Sequence, residues 1–165
     1  MKIGITSSLI AIGMVAAFQL TVRGEPANRT ATRLVTRAPR ADRSVWDSVF
    51  TEAQATRGDS LYKSGCANCH GAALQGGVTP AGDDAHPLVG PPFMASWDGQ
   101  TLYDMYDKIF SAMPVDKPKT LDKQLIVDVM AYILSQNHFP AGSKELETDP
   151  ERLKEIKFVP VKPAH

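Results

Sequence analysis

The stretch that decides the fold is Tyr62–Leu74, "YKSGCANCHGAAL". It holds both cysteines of the 165-residue chain, Cys66 and Cys69, and His70 follows the second at once. A disulfide between these two thiols would close so short a loop that it would add little. A thioredoxin-like dithiol wants a βαβ setting, whereas the flanking residues read as helix and loop. A structural zinc ion wants four ligands, and an imidazole adjacent to the second thiol is badly placed to join it on one tetrahedral ion. Thioether attachment of a haem uses every residue. Two thiols add to two vinyl groups, and the imidazole that follows is aimed at the iron from the proximal side.

Working outward, "TEAQATRGDSLYKSG" before the motif reads as a helix. Thr51 and Gln54 form a capping-box pair at its start, and Gly65 stops it. Residues 71–92 are dense in glycine and proline and have no helical period, which describes a long loop. Gly99–Ala112 reads as a second helix, with Thr101 as N-cap, Leu102, Met105, Tyr106, Ile109 and Phe110 on one face, and Pro114 beyond its end. Asp122–Gln136 reads as a third, with Leu125, Ile126, Val129, Met130, Ile133 and Leu134 on one buried stripe. No strand alternation and no internal repeat is visible. The expectation is an all-α domain of three main helices and long loops.

Basic and acidic residues balance at 18 each, so net charge implies no nucleic-acid partner. The balance is uneven along the chain. Residues 1–45 carry seven Lys/Arg against two acids, leaving eleven basic and sixteen acidic residues in 46–165. Met1-Lys2 followed by the apolar run Leu9–Leu20 reads as a signal peptide over 1–24, with an uncleaved membrane anchor through Ile3–Val22 as the alternative. Both place the domain outside the cytoplasm, in the periplasm. Residues 25–45 read as a basic disordered linker, 46–142 as the domain, and 143–165 as a charged C-terminal extension with one helical turn around Pro150–Ile156. Such an extension exceeds what a minimal carrier needs and could bind a partner.

Three stretches, "FTEAQATRGDSLYKSGCANCHG", "PLVGPPFMASWDGQTLYDMYDKIFSAMP" and "LIVDVMAYILSQNHFPAG", resemble a class I c-type cytochrome. Within that class they are similar to the monohaem cytochromes that accompany bacterial quinoprotein dehydrogenases. The resemblance covers residues 50–142. It implies the class I cytochrome c fold, a helical shell wrapped round one haem c held by Cys66 and Cys69. It also implies that Gly58, Tyr62 and Tyr132 lie where the first and last helices cross closely.

The second axial ligand decides the chemistry, because a methionine thioether trans to histidine raises the potential and leaves no open position. Met105 and Met130 lie on helical apolar faces and read as core. Met113 follows a helix and precedes Pro114, 43 residues after His70, where the resembled family carries its ligand. Met94, beside Phe93 and Trp97, competes with it, and His86 and His138 are the histidine rivals. The family fixes the proximal imidazole through a backbone carbonyl in a P-x-L-x-G segment, and "HPLVG" puts His86 at that place. Trp97 is a candidate propionate contact. The resulting expectation is a one-electron carrier, not an enzyme, exchanging electrons with a donor and an acceptor protein. The alternatives are a haem subunit of a dehydrogenase or oxidase, plausibly a quinoprotein, and a haem sensor with an open sixth position.

Overall fold

The computed structural model describes residues 43–163. The signal or anchor segment lies outside the described residues, as does the linker up to residue 42. Two long helices, α1 (Glu52–Gly65) and α5 (Lys123–Gln136), pack against each other at the centre. Each starts where a side chain satisfies free backbone N–H groups. Thr51 Oγ1 accepts from Gln54 N–H at 3.1 Å, and Asp122 Oδ1 accepts from Gln124 N–H at 2.7 Å. A third helix, α4 (Leu102–Ala112), begins with a full capping box between Thr101 and Asp104 and packs on α5. These three are the helices expected from the sequence, with Thr51 and Thr101 as the caps expected and Asp122 as a cap rather than a first helical residue.

Two details differ. Gln54 does not complete a capping box at Thr51. Its side chain is fully buried and pairs instead with the backbone of Leu146, donating to the carbonyl at 3.0 Å and accepting from the N–H at 2.8 Å. The apolar character of α5 is also not confined to a stripe. All nine residues from Ile126 to Leu134 are buried, in a helix that packs on both α1 and α4.

Residues 71–92, read as one long loop, hold structure of their own, and a short turn precedes them. A single turn, α2 (Ala67–His70), follows α1. Beyond it β2 (Gly77–Val78) and β3 (Asp84–Ala85) pair antiparallel, with Gly77 opposite Ala85. The helix α3 (Gly90–Trp97) then starts on two prolines, which lack the N–H that a first turn leaves unpaired anyway.

Residues 143–165, expected to be a charged extension, are a packed part of the domain as far as they are described. Leu146, Leu153, Ile156 and Phe158 are all buried. The short helix α6 (Pro150–Lys154) leads into β4 (Ile156–Lys157), which pairs in parallel with β1 (Arg43–Ser44). The Phe158 ring packs edge-on against Phe93 and Phe139, with centroids 5.6 and 5.3 Å away. Trp46 joins this cluster and donates its indole N–H to the Val159 carbonyl at 2.8 Å. Among the described residues the packing extends back to Arg43, ahead of Trp46, and Val45, assigned to the linker, is fully buried. Apolar side chains spaced through a charged segment were enough to dock it, because each finds a place in the common core.

Candidate cofactor site

The end of α1 builds the site. Cys66 closes that helix through its N–H to the Tyr62 carbonyl (2.8 Å), and the chain continues directly into α2. The His70 N–H donates back to the Cys66 carbonyl at 3.0 Å, so Cys66, Cys69 and His70 occupy one helical turn. Side chains three and four apart in such a turn share a face. Both thiols are free and half-buried. Burial, with Cys69 nearby, pushes the Cys66 thiol up.

His70 is half-buried, and its Nδ1 lies 3.0 Å from the His86 carbonyl oxygen. A carbonyl only accepts, so Nδ1 carries the proton, and in the neutral imidazole the lone pair is on Nε2. The His86 carbonyl is the acceptor named from the sequence. The His86 imidazole itself is exposed, as is that of His138.

A web of backbone bonds holds this arrangement. The Tyr62 hydroxyl, whose pKa burial pushes up, stays protonated and donates to the Gly71 carbonyl at 2.6 Å. Gly71 takes φ +78° to turn the chain out of α2. The Gly76 N–H donates to the His70 carbonyl at 2.8 Å, and the Leu88 N–H to the Leu74 carbonyl at 2.8 Å. At Gly76, with φ +86°, a Cβ would stand 2.7 Å from the Ala85 carbonyl oxygen. The chain passes that closely between the two strands leading to His86.

The methionines separate by burial. Met105 and Met130 are 2% and 0% exposed and belong to the core. Met113 and Met94 are half-buried. Met113 caps the end of α4, donating its N–H to the Ile109 carbonyl at 3.0 Å, just ahead of Pro114. Met94 and Trp97 sit on α3, with the Trp97 ring 6.3 Å from Phe93. Among the described residues the Trp97 indole N–H has no hydrogen-bond partner. A groove of about 570 Å³ lies over α1 and α5, lined by Phe50, Glu52, Tyr132 and Phe139 among others, and takes in none of these candidates.

One buried polar side chain beside the site was given no contact in the sequence reading. Asn137, 5% exposed, uses both ends of its amide on the segment after His86. The available signal was its place in "AYILSQNHFPAG", the ending that carries part of the family resemblance.

The donor set fits a covalent haem: two free thiols and one imidazole with a free Nε2, all in one helical turn. Residues 53–133 match the family model described as cytochrome C oxidase, cbb3-type, subunit III. Among solved structures, the crystal structure of the sulfane dehydrogenase SoxCD from Paracoccus pantotrophus is similar at 20% identity, with a TM-score of 0.40. That likeness covers 68% of this chain and 61% of the matched chain, so it spans less than two thirds of the latter. No curated protein matches the chain. Over residues 53–133 the chain is similar to a cytochrome c domain, its predominantly helical fold is consistent with the class I cytochrome c fold, and the turn at Cys66–His70 fits a covalently bound haem c.

Proposed function

We propose that the protein is an exported, periplasmic one-electron carrier whose haem iron is held between His70 and Met113. The observation that carries this reading is the hydrogen bond from His70 Nδ1–H to the His86 carbonyl, which orients Nε2 for the iron. Haem supplies a one-electron ferric–ferrous couple when bound. Cys66 and Cys69 fix the ring by thioethers, and His70 supplies the proximal nitrogen. Met113, at the end of α4, would supply a thioether to the iron. Trp97 offers its free indole N–H to a propionate. The chain transforms no substrate. Its partners are a donor and an acceptor redox protein, for which the resemblance stated above points to a quinoprotein dehydrogenase. Among the described residues no helix is long and apolar enough to cross a membrane.

The deciding experiment is carbon monoxide binding to the reduced protein. The wild type is expected to resist it, and Met113→Ala to bind it readily. Ready binding by the wild type would favour the open-site sensor instead. An effect of Met94→Ala but not of Met113→Ala would transfer the ligand role to Met94. If neither matters in a protein that resists carbon monoxide, His86 and His138 are next. Covalent attachment is tested separately. The haem of a Cys66→Ala, Cys69→Ala double variant should be extracted by acidified organic solvent, and that of the wild type should not.

The second reading, a haem subunit of an oxidase or dehydrogenase, is favoured by the description of the matching family model, which is that of an oxidase subunit. Purification from native membranes and periplasm distinguishes the two. Stoichiometric co-elution with a catalytic chain supports the subunit, and elution alone supports the shuttle.

A further inference from the structure

We infer that Asn137 is a positioning residue for the haem, setting the His86 carbonyl and through it the imidazole of His70. The inference rests on the reading of His70 as the proximal ligand and deepens it.

Asn137 is the residue after α5, and its own N–H is bonded to the Ile133 carbonyl at 3.1 Å. Its side chain makes three further bonds. Nδ2 donates to the Ile133 carbonyl at 2.9 Å and to the Leu88 carbonyl at 2.9 Å, while Oδ1 accepts from the Gly90 N–H at 3.1 Å. One amide thus joins Leu88 and Gly90 to the end of the most deeply buried helix. The N–H of Leu88 is held in turn by Leu74. His86 lies two residues before Leu88, and on its other side Gly76 abuts it: a Cβ there would stand 3.3 Å from the His86 carbonyl carbon. The carbonyl facing His70 is therefore bracketed by Gly76 and by the segment that Asn137 holds.

The electronic consequence has a definite sign. An acceptor held close to Nδ1–H draws on that proton and makes Nε2 a stronger donor to iron, which favours the ferric state. Releasing Leu88 and Gly90 lets the carbonyl move, weakens that bond and favours the ferrous state. A residue that merely capped α5 would affect stability and leave this balance alone.

The test is a spectroelectrochemical titration of the full-length haem-loaded protein in four forms: wild type, Asn137→Ala, Asn137→Asp and Gln54→Leu. Asn137→Asp keeps the acceptor for Gly90 and loses both donors, so it serves if Asn137→Ala does not accumulate. Gln54→Leu breaks a comparable buried amide pairing away from His70. Both Asn137 variants are expected to raise the ferrous-to-ferric ratio at fixed potential by about threefold to tenfold, the upper figure being 59 mV for one electron. Gln54→Leu is expected to match the wild type in potential while losing thermal stability. Unchanged potentials in the Asn137 variants, or an equal shift in Gln54→Leu, would overturn the inference. His70→Ala separates the underlying reading. If its low-spin spectrum persists, His70 is not the ligand and both conclusions fall. If that spectrum is lost and the Asn137 variants stay unshifted, only the positioning role falls.

Discussion

At Gly58 the two central helices meet backbone to backbone. A Cβ there would overlap the Asp128 carbonyl oxygen and stand 2.9 Å from Tyr132 Cβ. Gly58→Ala is expected to cost about 1–3 kcal/mol or more, because neither contact belongs to a flexible side-chain end that could swing away. Chemical denaturation would measure it, and a variant as stable as the wild type would contradict the close crossing. Next to it, the Asp128 carboxylate is 4% exposed and takes Arg57 Nε at 2.9 Å and Gln124 Nε2 at 2.9 Å. Burial alone would raise its pKa, but the hydrogen bonds of Arg57, Gln124 and Gln54 outweigh burial and hold the carboxyl below its usual 3.8. A depressed folded pKa means that the stabilisation is complete above the unfolded value and is lost as pH falls through the folded one. Asp128→Asn should therefore melt below the wild type near neutrality, with the gap closing under acid, below about pH 4. A gap that is constant with pH would remove the ionic contribution.

The elements show which signals sequence can carry. Thr51, Thr101 and Asp122 begin α1, α4 and α5 through bonds to residues two or three positions on, so local reading reaches them. The thiol–thiol–imidazole turn is local in the same way. The partner of Gln54 is Leu146, 92 positions away, and no pattern near Gln54 announces it. The sequence suggested a reach back to Thr51, which the geometry rejects in favour of a two-bond pairing with another backbone. Similarly, α3 is eight residues long and opens on Gly-Pro-Pro, too short for a helical period to stand out. The carbonyl of His86 was reached only through the family resemblance, which carries over because a backbone acceptor needs a position and no particular side chain. The bonds of Asn137 to Leu88 and Gly90 were missed because those partners lie across the fold. Gln54→Leu would leave the Leu146 N–H and carbonyl unpaired in a buried place, at an expected cost of about 1–3 kcal/mol. A melt showing no loss would mean that water replaces the amide.

For the whole molecule, the residues around β4 act as a strap. Besides β1, the strap holds the segment before α4: the Gly99 N–H donates to the Phe158 carbonyl at 3.1 Å and the Phe158 N–H to the Gln100 carbonyl at 2.8 Å. It thereby touches the start of α4, the helix whose other end carries Met113. Phe158→Ala should cost about 3–5 kcal/mol, since its fully buried ring fills the space between Phe93 and Phe139. For a domain of this size that is a fall in Tm on the order of 10 °C. A much smaller fall would show that the cluster closes around the gap.

The parallel pairing of β1 with β4 also sets an order of events during synthesis. Arg43 must wait for Ile156, its register partner, 113 positions later. Residues 66–70 emerge long before that, with their turn built only from near neighbours. Closing so long a span carries an entropic cost that must be met before the distant contacts return anything. The thiols can therefore be presented on a chain whose outer seam is still open, and Phe158 seals the domain afterwards.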